Sequence, residues 1–211
     1  GQVMREPGAR SIYDLSREQL AKLEKRRPPL TRETARRLAN IRELAAIPTL
    51  QVVSRKTSSG QVEHIHLSNA RGLHIPALLA HPKNGKPGHV TLVLDARGKH
   101  AAFGPDGIAT RLLDEGNSVC AIDVRGSGET RQSGQTYHRG QGQDGVDVYM
   151  AYLLGRSYVG MRAEDTLAAA RWLATELPGT KIHLHAHGAL TVSAQHAAYV
   201  EPDLIALLTL S

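Results

Sequence analysis

Cysteine, phenylalanine and tryptophan are each present once in 211 residues. With one thiol, Cys120, no disulfide can form within the chain. Its place in the apolar run SVCAIDV (118–124) marks it as a buried structural thiol. Scarce aromatics leave the core to Leu, Val, Ile and Ala. No run of about 18 apolar residues occurs, so no membrane-spanning helix is expected. The opening GQVMREPGAR has no apolar stretch of the signal-peptide kind, and nothing in the sequence fixes a compartment. An acidic excess is also lacking: the formal net charge is +6. Most of that excess sits early, since residues 1–50 hold eleven of the 26 basic residues but only six of the 20 acidic ones. Such an arm suits an anionic surface. However, no aromatics interleave its basic helices and it carries its own acids. It reads as a solvated helical face, and nucleic acid is not an expected partner.

The length allows one domain with a real core plus an appendage. Residues 16–27, SREQLAKLEKRR, predict a helix opened by a Ser16/Gln19 capping box and ended by Pro28-Pro29. A second helix is predicted over 31–47, with Ala35, Leu38, Ile41 and Ala45 on one face and Pro48 as its stop. Together they make an N-terminal basic helical arm, an α-hairpin over residues 1–49. From about residue 50 the apolar period falls to two. LQVVSRK, VEHIHLSN and GLHIPALLAH are strand candidates, the last two an antiparallel pair joined by Asn69 to Gly72. His64, His66 and His74 fall in these strands as exposed edge positions.

After a loop over 82–87 the pattern becomes α/β. VTLVLDA (90–96) and SVCAIDV (118–124) are continuous apolar runs, as in central parallel strands. A helix over 107–116 lies between them, closed by Gly116. A Gly/Ser/Gln-rich loop over 125–143 precedes helices over 146–155 and 161–177. The stretch 181–198, KIHLHAHGALTVSAQHAA, reads as strand, sharp turn and small-residue helix. DLIALLTLS (203–211) is one further apolar strand. Strands alternating with helices predict a doubly wound, mostly parallel sheet over residues 50–211. RGSGETR does not match a dinucleotide-binding loop, because Arg131 stands where the third Gly is required.

Three features in order carry a resemblance: LVLDARGKHAAFG, AIDVRGSGET and IHLHAHGAL. The second, with Asp123, Arg125, Gly126, Gly128 and Thr130, resembles the turn after the fourth core strand of acetyl-xylan-esterase-like and prolyl-oligopeptidase-like α/β-hydrolases. The phrases YLLGRS (152–157) and GMRAEDTLAAARWL add to it, and the resemblance covers residues 60–211. It implies that Asp123 and Arg125 shape the rim of the sheet rather than react. It also implies that 182–198 is the strand–turn–helix elbow of a serine hydrolase. In that alignment His187 matches a common His, and Ala194, Ala197 and Ala198 match the packed helix face. Gly188 stands where the nucleophile belongs, and Gly cannot form an acyl-enzyme. Leu190 replaces a small residue, and Ser193 lies inside the helix.

The resemblance places the acid and the His after the seventh and eighth core strands, so this chain is expected to lack the last two core strands. No residue is assigned as catalytic. Candidate oxyanion or cleft groups are Ala189, Arg97, Gly98, Lys99, His100 and Arg125. With His187 they would wall a basic cleft for an anionic or carbohydrate ligand. His183, His185 and His187 alternate on one strand face and form a weak candidate metal set; no cofactor is expected. The last strand would be an apolar sheet edge, needing cover from the N-terminal α-hairpin, from a second copy of the chain or from a segment beyond Ser211. The expectation is an ester-hydrolase-like domain, weakly active or inactive, acting on a small ester. The alternatives are a non-catalytic binding module and a histidine-based metal hydrolase.

Overall fold

The computed structural model describes residues 8–58, 62–83, 88–131 and 144–211. Residues 84–87 of the loop over 82–87, and 132–143 of the Gly/Ser/Gln-rich loop, lie outside the described residues. The chain forms two compact units, Gly1–Thr31 and Arg32–Ser211.

The first unit holds helix α1 (Ile12–Glu24), none of whose residues is buried. It begins a turn before the expected Ser16. The capping box is Ser11 with Asp14: the Ser11 hydroxyl accepts the Asp14 N–H at 3.1 Å, and the Asp14 carboxylate accepts the Ser11 N–H at 2.9 Å. Both pairs fit the box spacing, and the earlier one also binds the orphan donors of Ile12's turn.

In the second unit, helix α2 is shorter than its periodicity predicts, running only Arg32–Leu38. Asn40 adopts φ +53° and the Ile41 N–H turns back to the Arg36 carbonyl at 2.9 Å, which closes the helix. The predicted face is therefore broken. Leu38 is exposed, while Ala39 and Ile41 are buried. Residues 39–42 are fixed instead by helix α5 (Tyr158–Glu176). A Cβ at Gly160 would stand 1.9 Å from the Ala39 carbonyl, so only Gly admits this approach. Buried Glu164 accepts the Arg42 N–H at 2.8 Å, the Arg42 guanidinium at 3.0 Å and Arg156 at 2.7 Å.

Among the described residues, seven strands make one sheet in the order β1-β2-β3-β5-β4-β6-β7. Strands β1 (Gln51–Thr57), β2 (Val62–Ser68) and β3 (His74–Ala80) form an antiparallel meander, so β1 extends the expected pair to three. Asn69 accepts the N–H groups of Arg71 and Leu73 through its side chain, and Gly72 takes φ +76° in that turn. Strands β5 (Ser118–Ile122), β4 (His89–Asp95), β6 (Lys181–His187) and β7 (Leu207–Leu210) run parallel. The apolar runs of β4 and β5 are buried because helices cover both faces, whereas β6 alternates buried Ile182, Leu184 and Ala186 with half-buried histidines. One core cluster joins the sheet to α5 and to α6 (Thr191–Val200). A smaller one joins Val93, Val119 and Ala121 to α3 (Ala109–Asp114). Strand β7 is shorter than predicted and lies at the edge, with Leu207 and Leu210 exposed.

The chain leaves β4 for β5 on one side and returns to β6 on the other. The strand order thus reverses around β4, and open α/β sheets bind ligands at the carboxyl ends beside such a reversal. Asp95 ends β4 and His187 ends β6, and the two are direct partners in the parallel register.

Candidate functional site

Two turns leave the carboxyl edge of the sheet, and both were singled out by sequence. The first, 123–130, is closed by its own polar groups. Asp123 is fully buried and its carboxylate accepts three bonds: the Lys99 N–H at 2.7 Å, the Lys99 ammonium at 2.9 Å and the Glu129 N–H at 3.0 Å. A Cβ at Gly128 would fall 2.1 Å from an Asp123 oxygen, with φ at +49°, so this residue must be Gly. Arg125 binds the buried carboxylate of Asp165 through its backbone N–H and its guanidinium. Ser127 and Thr130 both donate to the Val124 carbonyl, at 2.7 and 2.6 Å. From the other side, Arg162 donates to the Arg125 carbonyl at 2.9 Å. Glu129 also pairs with Lys99 and, at 3.4 Å, with His100. The Lys99 hydrogen bond, aided by those charges, holds the Glu129 carboxyl below its ordinary range. Every charged group here has a partner.

The second turn follows β6. His187 is extended (φ −120°), Gly188 is left-handed (φ +66°), and Gly188–Leu190 forms a single 3-10 turn that leads into α6. The left-handed residue at the apex is therefore Gly188. Behind it Leu190, Ser193, Ala194 and Ala197 are buried. The Ser193 hydroxyl donates back to the Leu190 carbonyl at 3.0 Å and points away from the turn's surface.

A cavity of about 310 Å³ opens beside this turn, lined among others by Asp95, Arg97, Asp106, His185, His187 and Ser211. Two carboxylates and one guanidinium make its charge mixed rather than basic. Arg97 lies across Asp95, with its guanidinium at 2.7 and 3.0 Å and its own N–H at 2.8 Å from the carboxylate. Burial works to raise the Asp95 pKa, but the Arg97 hydrogen bonds and the Arg97 and His187 charges outweigh it and hold the group ionised below the usual range. His185 is pushed the other way for a base: burial, then the charges of His187 and Arg111, lower its proton affinity.

The expected cleft residues do not share one cavity. Arg97 and His187 line the one just described. Lys99 lines another, of about 300 Å³, with Lys56, His64, His66 and Glu129 on the antiparallel side. Arg125 lines neither and is tied to Asp165. The loop amides proposed as oxyanion donors have partners. The Arg97 N–H goes to the Asp95 carboxylate, the Gly98 N–H to the Asp95 carbonyl at 2.8 Å and the Lys99 N–H to Asp123. Ala189 follows the apex within the 3-10 turn.

The three alternating histidines also part company. The His183 ring stacks on His89, with centroids 3.8 Å apart, while His185 and His187 face Ser211. Burial, then His89 and Lys181, lowers the His183 proton affinity. Among the described residues no group of three or more His, Cys, Asp or Glu is arranged to hold a metal ion. The described helices include none long and apolar enough to cross a membrane.

Sequence reasoning assigned no role to Asp95 or Ser211. Asp95 had a signal, an acid closing an apolar strand, where a buried carboxylate demands partners. Ser211 had none. It reaches the cavity only through the β6/β7 register, which pairs Ala186 with Leu210 and so sets Ser211 beside His187.

No protein-family model matches the chain, and no curated protein does. Solved structures do match. A Bacteroides fragilis protein assigned as an acetyl xylan esterase superposes with a TM-score of 0.72 at 17% identity, over 97% of this chain and 61% of its own. Acetyl xylan esterase 1 of a Thermoanaerobacterium species gives 0.54 at 18% identity, over 84% of this chain and 56% of its own. A cold-adapted esterase from an Arctic intertidal metagenomic library gives 0.53 at 18% identity, over 75% and 63%. The chain therefore spans less than two thirds of each of these proteins. The strand order, the elbow after β6 and these neighbours together identify the architecture: the chain has the α/β-hydrolase fold, the fold of acetyl xylan esterases and other esterases.

Proposed function

We propose that this chain is a domain of the carboxylic-ester-hydrolase kind, similar to acetyl xylan esterases, that receives a small neutral ester or acylated carbohydrate with little or no turnover at the elbow. One observation carries the reading. The apex residue is Gly188, in the left-handed conformation of an elbow nucleophile but with no side chain to acylate. The loop amides that would help to bind an oxyanion already serve Asp95 and Asp123. The mixed charge of the cavity supports a neutral ligand over an anion, because Arg97 is balanced by Asp95 and faced by Asp106.

In this reading the chain's residues bind and orient. Asp95, Arg97, His185 and His187 line the cavity, and the hydroxyls of a sugar would find donors and acceptors among them. The test is a p-nitrophenyl acetate assay on the purified chain, run beside a titration of acetylated xylo-oligosaccharide followed by imidazole NMR signals. The expected kcat lies far below the roughly 10 s⁻¹ of a median enzyme, with shifts at His185 and His187. A kcat near the median, or a ligand that leaves both rings unmoved, would overturn the proposal.

A further inference from the structure

The elbow has no hydroxyl of its own, but one stands beside it. Ser211 continues the β7 pairing past its last strand residue. Its N–H donates to the Ala186 carbonyl at 3.0 Å, and its carbonyl accepts the Gly188 N–H at 3.0 Å. Two backbone bonds therefore fix where its side chain can go. The Ser211 Oγ lies 3.2 Å from His187 Nδ1 and 3.3 Å from His185 Nε2, on the wall of the cavity and open to solvent.

A hydroxyl has one proton to donate and two lone pairs to accept with. Between two imidazoles it donates to one ring and accepts an N–H from the other. We propose that Ser211 is the acyl acceptor of this cavity, with His187 Nδ1 as its general base and the Nε2–H of His185 holding the oxygen in place. The proposal rests on the reading of the cavity as an ester site and names the group that carries whatever turnover remains there.

The assignment of the two rings follows from their surroundings. Asp95 is the register partner of His187 across the strand pair, which sets a carboxylate beside the ring that takes the proton. Burial, then the charges of His187 and Arg111, lower the proton affinity of His185, which suits it to donate an N–H rather than to take the proton. The step balances. Oγ bonds to the ester carbonyl carbon as its proton passes to His187 Nδ1. The bond from that carbon to the leaving oxygen then breaks, and His187 returns the proton to the departing alcohol. Water repeats the sequence on acyl-Ser211 and releases the acid. The distances lie at the long end of the range expected of a general base in an unliganded site, so the reaction is expected to be slow.

The experiment treats the whole chain with p-nitrophenyl acetate and, separately, with a fluorophosphonate, and locates adducts by peptide mass mapping. Both adducts are expected on Ser211. Ser211→Ala, a small change at an exposed side chain, should remove them and the slow ester turnover together. His187→Gln should slow the acylation of Ser211 about 100-fold, while Ser211 stays the labelled residue. Slow turnover with adducts elsewhere, or no adduct at all, overturns the role of Ser211 and leaves the reading of a vacant elbow standing. Fast turnover that survives Ser211→Ala overturns that reading as well.

Discussion

The turn at 123–130 and the turn at 187–190 leave the same edge of the same sheet and are built on opposite terms. The first is crowded with charge, and each charge is answered by neighbouring protein groups: Asp123 by the Lys99 ammonium and the Glu129 N–H, Arg125 by Asp165 of α5. The second holds few polar atoms, yet it borders a cavity where two imidazoles and a hydroxyl meet. A cluster of Asp, Arg, Lys and Glu is thus a poor guide to reactivity when its members are buried in pairs. Buried ions persist only where they are paired and hydrogen-bonded. Open chemistry needs groups whose bonding is left incomplete.

Breaking the first turn should have the largest effect. Asp123→Ala leaves the buried Lys99 ammonium with only the exposed Glu129 carboxylate and strips the Lys99 and Glu129 N–H groups of their acceptor, and a cost of about 3–5 kcal/mol is expected in urea unfolding. A loss below about 1 kcal/mol would mean that the turn is not held by this pair.

The elbow offers an intermediate effect. Gly188→Ser places a side chain at φ +66°, with its Cβ 3.2 Å from the Ala96 methyl. A left-handed L-residue costs about 1–2 kcal/mol, and the variant should still fold. Its ester turnover should stay within about tenfold of the parent chain, because the loop amides remain bound to Asp95 and Asp123. A rise of about 10³-fold would show that oxyanion support survives and would erase the contrast between the turns.

The smallest effect is in pH dependence, where the two regions titrate in different windows. The folded-state pKa of His185 lies below the ordinary imidazole value of 6.5. As pH falls through that value the unfolded chain binds the proton first, so this part of the stability is present above pH 6.5 and lost below it. Glu129, lowered from 4.5, contributes stability that is present above that pH and lost as pH falls through the folded value. His185→Gln should therefore flatten the stability profile just below pH 6.5 and leave the acid limb in place. An unchanged slope in that window would remove His185 as its source.

Much of this was legible in the sequence. The continuous apolar runs that became β4 and β5 were readable because strands buried on both faces leave no alternation to misread, and β6 was readable from the alternation of Ile182, Leu184 and Ala186 with histidines. The Gly126 and Gly128 spacing announced a tight turn, and the sharp turn at His187-Gly188 was plain. Helix α2 was misjudged because its period continues past Asn40, where one left-handed residue ends it. The expected basic cleft failed for a different reason. A sequence shows how many charges a loop carries, but not that Lys99 turns to Asp123 and Arg125 to Asp165. Ser211 was the least legible residue. Its value lies in a register between strands, and register belongs to the folded sheet rather than to any local pattern.

The carbonyl of Ser211 and the N–H of Gly188 close a small clasp across the top of β6 and β7. Opening β7 would release the Gly188 amide to solvent at the same moment as that of Ser211. In hydrogen-exchange terms the elbow and the outermost strand belong to one cooperative unit. The hold of the sheet on its edge strand therefore sets how long the apex of the turn keeps its shape.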